Sequence, residues 1–166
     1  ADTQGGCIFY PMSHLISQTR DNSIEIIRLA KKFKVDAIIG LWHNINETEA
    51  KKLNIPIFLR LYRKEYPNFP MLTGHYKEFG AFAGRYFTDQ SFENYAFIGM
   101  KGILWSMSRC DGYREHIERF GKKISEYHVT DFQTEIKEIA SWLHSLPKPV
   151  ALFACNDFMA RKVTEL

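Results

Sequence analysis

Short strand-like runs, most of them apolar, alternate with segments of helical period along this chain, and that alternation limits its fold more than any other feature. The runs are Cys7 to Tyr10, Val35 to Leu41, Ile55 to Leu59, Met71 to Thr73, Tyr95 to Ile98, Ile124 to Val129 and Val150 to Cys155. Helix patterns fall between them. Asn22 to Phe33 carries Ile24, Ile27, Leu29, Ala30 and Phe33 on one face, and Tyr76 to Phe87 carries Phe79, Ala83 and Phe87. Glu47 to Leu53, Trp105 to Phe120, Thr134 to Leu146 and the segment after Asn156 complete the set. A strand buried on both faces reads as a continuous apolar run. Strands and helices in strict alternation imply a parallel sheet with helices on both faces, so the predicted fold class is α/β and doubly wound.

Length and composition fit that reading. The 166 residues suffice for one domain or two small lobes, and the 45% hydrophobic and 25% charged content is that of a globular chain. Thr88 to Asn94 reads as a crossover, which divides the chain into lobes over 1–88 and 89–166. Each half holds about four strands, fewer than a doubly wound lobe usually has, and the chain therefore reads as a piece of a longer domain. A net charge of +3 argues against a dedicated polyanion partner. Lys31, Lys32 and Lys34 are flanked by Glu25 and Asp36, as on a solvated helix face. Cys7, Cys110 and Cys155 are odd in number and widely spaced, which favours a reducing compartment, and no His/Cys group has zinc spacing. There is no apolar run long enough to cross a membrane as a helix.

The most informative stretch runs from Val150 to Arg161. A strand ends in Asn156-Asp157 and a helix starts at once. Polar groups at the carboxyl end of a parallel strand face the crevice where α/β sheets bind ligands. Asn156 offers a donor and acceptors, and Asp157 offers paired acceptors, a set that suits a polyol. The competing reading is that one of them only caps the helix. Two other turns would face the same crevice. One is Trp42-His43-Asn44. The other spans Gly99 to Arg109, where Ser106 or Ser108 could cap a helix and Arg109 could fork two hydrogen bonds onto vicinal hydroxyls or a carboxylate. Trp42 and Trp105 could stack on the apolar C–H edges of a sugar ring, or simply pack in the core. Arg109 could instead form a surface ion pair with Asp111 or Glu115.

Catalytic patterns are poor. The chain has no GxSxG, Walker loop or GxGxxG. Gly80 and Gly84 share a helix face, as a packing device does. None of the six histidines (His14, His43, His75, His116, His128 and His144) has a carboxylate or thiol partner by spacing. The expectation is a binding domain with no catalytic residues, no cofactor and no metal.

Six motifs point further: ValAspAlaIleIleGly (35–40), IleProIlePhe (55–58), AsnTyrAlaPheIleGly (94–99), TrpSerMetSerArgCysAspGlyTyrArg (105–114), TrpLeuHisSerLeuProLysPro (142–149) and AlaCysAsnAspPheMetAlaArg (154–161). In their order and spacing the chain resembles the effector domain of bacterial sugar-responsive transcription regulators of the lactose/galactose-repressor type, which has the type I periplasmic-binding-protein fold. It is most similar to the xylose-operon branch, which adds an arabinose-regulator-type DNA-binding domain. The resemblance implies that Arg109 of the Arg-x-x-Gly-aromatic motif and the Asn156-Asp157 pair contact the effector, with Trp105 and Ser106 in the same turn. One departure is Gly74-His75, where the family often has Asp-Asn. The resemblance further implies a sugar between the lobes, xylose foremost, a homodimer in the cytoplasm, and DNA contact only through a domain outside this chain. A periplasmic sugar receptor of a transport system shares fold and ligand and is the first alternative. A flavodoxin-like α/β enzyme is the second, although the chain offers no nucleotide cradle.

Overall fold

The computed structural model describes residues 23–40, 45–60, 63 and 65–166. The expected Cys7 strand and the Trp42-His43-Asn44 turn lie outside the described residues. Two compact units emerge, one made of Ala1–Arg60 with Tyr66–Leu72, the other of Leu61–Glu65 with Thr73–Leu166.

The first unit holds α1 (Ser23–Phe33), β1 (Ile38–Gly40), α2 (Glu47–Lys51), β2 (Ile57–Arg60) and β3 (Met71–Leu72). Its strands form a parallel sheet in the order β1-β2-β3. Its core is Ile45, Ala50, Ile57, Leu59, Tyr66 and Phe69. Asn46 starts α2 by accepting the Glu49 N–H on its Oδ1 at 3.2 Å. Two expectations need correction. The Val35 to Leu41 run is not buried on both faces, because Ile39 of β1, at the edge of the sheet among the described residues, is 69% exposed. The apolar stripe of α1 is also rotated: Ser23, Leu29 and Ala30 are buried, while Ile24 faces outward.

The second unit holds α3 (Tyr76–Asp89), β4 (Asn94–Met100), α4 (Leu104–Glu118), β5 (Ile124–Val129), α5 (Ile136–Ser145), β6 (Val150–Ala154) and α6 (Asp157–Thr164). Its sheet is parallel with the order β5-β4-β6. The central β4 buries Tyr95 through Gly99 consecutively, so both faces of the sheet are covered. α4 covers one face. Its Tyr113 hydroxyl donates to the Ala151 carbonyl at 3.1 Å, and its Arg114 forks onto the Glu126 carboxylate at 2.6 and 2.9 Å. α5 covers the other, where the Trp142 indole N–H donates to Ser125 Oγ at 3.0 Å and the ring meets Tyr127. The core joins Phe97, Ile98, Tyr113, Ile117, Ile139 and Met159. β6 was read as fully buried, but it is an edge strand in which only Ala151 is inaccessible. A run with no charge reads the same whether one edge or none is open.

The Arg114–Glu126 pair holds the Glu126 carboxyl down to about 2, with the Arg114 hydrogen bonds the largest cause. Burial, reinforced by the nearby Glu126 charge, pushes the Cys110 thiol well above the usual range.

α3 meets α4 through glycines. A Cβ at Gly80 would lie 2.0 Å from the Arg109 carbonyl oxygen, and one at Gly112 would lie 1.8 Å from that of Lys77. No side chain fits at either point, so the backbones themselves form the contact. Gly84 lies against His116 in the same seam. The expected face of α3 holds in part: Ala83 and Phe87 pack on the core, Phe79 is 53% exposed, and the buried residues of the helix are Gly80 and Gly84.

Candidate functional site

The carboxyl end of β6 opens beside one cleft of the second unit, about 770 Å³ in volume. Phenylalanines 79, 82 and 87 of α3 and the length of β6 make it apolar over most of its extent. Arg109, Asn156 and Asp157 line it together, and they give one end the chemistry that the rest lacks.

Arg109 reaches this position because α4 starts directly after β4. The Met100 N–H at the end of β4 donates to Ser106 Oγ at 2.9 Å. Gly99 permits the approach: a Cβ there would lie 2.6 Å from that hydroxyl oxygen and 2.4 Å from the Phe97 ring. Arg109 follows on the next turn of α4, half-buried, and its guanidinium donates to the Cys155 carbonyl at the end of β6. Aromatic rings surround it, with Trp105 at 5.1 Å, Tyr76 at 5.3 Å and Phe79 at 6.0 Å from the guanidinium carbon. Stacking of this kind steadies the flat cation while leaving N–H groups on its edges for a ligand. The alternative ion pairs do not form. Asp111 pairs with Arg114 at 2.7 Å and Glu115 with Lys77 at 2.7 Å.

Asn156 has extended backbone and caps α6, its Oδ1 accepting the Met159 N–H at 2.8 Å. Only the amide N–H groups remain without a partner among the described residues. Asp157 opens the first turn of α6, exposed, and its carboxylate takes no hydrogen bond among the described residues. A carboxylate is favoured there by the helix dipole.

Ser106 is fully buried, and its oxygen is engaged by Met100. It is no cap either: Ile103 holds the N-cap position of α4 without a side-chain bond. Its hydroxyl ties the start of α4 to the end of β4, behind the cleft surface. Trp105 is half-buried, packed partly on the core and partly against Arg109. Trp42 lies outside the described residues. Tyr76 and Phe79 went unnoticed in the sequence as neighbours of Arg109. Gly80 and Gly84 are legible in the sequence as a packing face of α3; that Gly112 of α4 meets the same helix is not, because the two helices are joined only by the fold.

The Cys155 thiol lies beneath the cleft, 1% exposed, and burial raises its pKa. A thiol so protected is a small apolar group rather than a nucleophile.

No protein-family model matches the sequence, and no curated protein matches it either. Solved structures do. A periplasmic binding protein/LacI transcriptional regulator from Alkaliphilus metalliredigens, complexed with D-xylulofuranose, aligns at TM-score 0.65 and 15% identity over 87% of this chain and 56% of its own. The Cra transcriptional dual regulator from Pseudomonas putida, in complex with fructose 1-phosphate, aligns at TM-score 0.67 and 14% identity over 89% of this chain and 57% of its own. A Mycobacterium smegmatis protein in complex with β-D-fucofuranose aligns at TM-score 0.64 and 22% identity over 86% of this chain and 53% of its own. The chain thus spans a little over half the length of the structures it matches. It has the type I periplasmic-binding-protein fold, the α/β architecture of parallel sheets that LacI-type regulators share.

Proposed function

We propose that this chain is the effector-binding part of a sugar-responsive transcription regulator. The observation that carries the reading is the meeting of Arg109, Asn156 and Asp157 at one end of a single cleft, where β6 ends. Arg109 supplies N–H donors, Asn156 its free amide N–H groups, and Asp157 acceptors. Vicinal hydroxyls offer the complementary set, each being donor and acceptor. Trp105, stacked on Arg109, gives the apolar C–H side of the ring a surface. Sugars bound in neighbours of the same fold support this reading.

The remainder of the proposal follows the resemblance in the motifs. Sugar binding favours a closed arrangement of the lobes over 1–88 and 89–166 and shifts the population toward it. That shift reaches DNA through a separate domain and a homodimer in the cytoplasm. No chemistry is done on the sugar, and xylose is the first candidate. A periplasmic receptor is the second reading, favoured by the neighbour described as a periplasmic binding protein/LacI regulator. A sugar-dependent change in affinity for operator DNA separates the two.

Isothermal titration with free pentoses and hexoses tests the site. Arg109→Ala removes a charged hydrogen-bond donor, a loss of about 1.5–3 kcal/mol, so affinity should fall roughly 10- to 100-fold. Unchanged affinity for each sugar that the wild type binds would overturn the assignment of Arg109. A wild type that binds none would overturn the function.

A further inference from the structure

We propose that Cys110, Glu126 and His128 form a binding site for a divalent transition-metal ion of the zinc class. The chain's spacing hides this trio, because Cys110 comes from α4 and the other two from β5. Glu126 and His128 lie two residues apart and so share the face of β5 that α4 covers.

The geometry fits. Sγ of Cys110 lies 3.4 Å from Glu126 Oε2, and His128 Nε2 lies 3.0 Å from the same oxygen. One ligand atom from each residue falls within 4.8 Å of the others. Tetrahedral zinc with bonds of about 2.0–2.3 Å needs ligand atoms roughly 3.3–3.6 Å apart. The two measured edges are close to that span, and side-chain adjustment alone closes the difference. A thiolate, an imidazole and a carboxylate are the donor types zinc takes, and three of them leave one position for water.

One further observation points to a cation here. The cluster already holds one of its own: Arg114 Nη2 lies 2.9 Å from Glu126 Oε2 and 3.3 Å from Cys110 Sγ, against two of the three ligand groups. Arg114 keeps a second anchor in Asp111 at 2.7 Å, so its guanidinium can yield that corner without losing every partner. In addition, Nδ1 of His128 is buried with no hydrogen-bond partner among the described residues. Nδ1 would carry the ring proton while Nε2 bonds the ion. β5 is an edge strand, and the Glu126 and His128 side chains keep 24% and 23% of their exposure, which gives an ion a path from solvent. On binding, the Cys110 thiol gives its proton to solvent and sulfur bonds the metal as thiolate.

Titration of the metal-free protein with Co²⁺ reads the site directly, because a thiolate-to-cobalt charge-transfer band reports the sulfur bond. The expected result is saturation at one equivalent, reversal by Zn²⁺, and loss of the band in Cys110→Ser and in His128→Asn. Arg114→Ala removes the competing cation and should bind Co²⁺ at least about tenfold more tightly. Circular dichroism of each variant establishes that the fold is retained. Absence of the band in the folded wild type at millimolar Co²⁺ overturns the proposal. So does a band that persists in folded Cys110→Ser, which would place the sulfur elsewhere.

Discussion

Asn156 caps α6 and lines the cleft, so its observed role as a cap and its proposed role in sugar binding can be separated. Its oxygen caps α6 through the Met159 N–H, and its N–H groups face the cleft. Asn156→Ala should cost about 1 kcal/mol of stability, read from the denaturant midpoint. Asn156→Ser should keep the cap and most of that stability, yet weaken sugar binding because a serine hydroxyl is too short to reach the same ligand. If both variants bind sugar like the wild type, Asn156 is a cap only. At this scale the sequence was partly legible. Asn and Asp after an apolar run point to a cap or a cleft; Asn156 forms the cap, and both residues line the cleft. Ser106 was misread, since a serine in the first turn of a helix resembles a cap from sequence alone. What decides its role is the Met100 N–H, which the return of α4 onto β4 brings within reach.

The α3–α4 seam sets the limits at the scale of elements. A Cβ at Gly112 would overlap the Lys77 carbonyl, and backbone cannot move aside as a side chain can. Gly112→Ala should therefore destabilise by about 3 kcal/mol, the upper range for overpacking, in urea titration. His116 lies in the same seam, with Nε2 3.3 Å from Thr88 Oγ1. Burial lowers its pKa, Arg85 and Arg119 lower it further, and Asp89 opposes them. A histidine depressed in the folded state is stabilising when neutral. That contribution is full above the ordinary value of 6.5 and is lost as pH falls through the lower folded value. The urea midpoint should accordingly drop between neutral and mildly acidic pH, and less so in His116→Gln. The seam also shows what the apolar pattern of α3 leaves out. Phe79, Ala83 and Phe87 have helical spacing, and large apolar residues normally mark the inward side. Here the side against α4 is the one that lets two backbones touch, and glycine carries almost no hydrophobic signal.

For the whole molecule, the order of strands and helices in the described residues was readable because strands covered on both faces repel charge, as Tyr95 to Gly99 show. The edges were not readable: Ile39 and the outer side of β6 look the same in sequence whether a neighbour covers them or not. The trio Cys110, Glu126 and His128 was invisible for a related reason, since it exists only once β5 pairs beside β4 and α4 lies over both. Among the described residues, no helix is long and apolar enough to cross a membrane. Ligand binding should raise stability throughout by mass action. A sugar at about 100 times its Kd adds roughly 2.7 kcal/mol, visible as a rise in Tm, and this gain should shrink to about 0.4–1.4 kcal/mol in the Arg109→Ala protein at the same sugar concentration. A screen of free sugars in which no sugar moves the wild-type Tm would contradict a carbohydrate effector.

The Arg109 carbonyl faces Gly80 while the Arg109 guanidinium is tethered to the end of β6. Both ends of one residue are thus pinned before any guest arrives. Little freedom is left to surrender on binding, so discrimination among stereoisomers falls to the rings that frame the cation. Libraries aimed at a new guest should diversify Tyr76, Phe79 and Trp105 and leave positions 80 and 112 untouched.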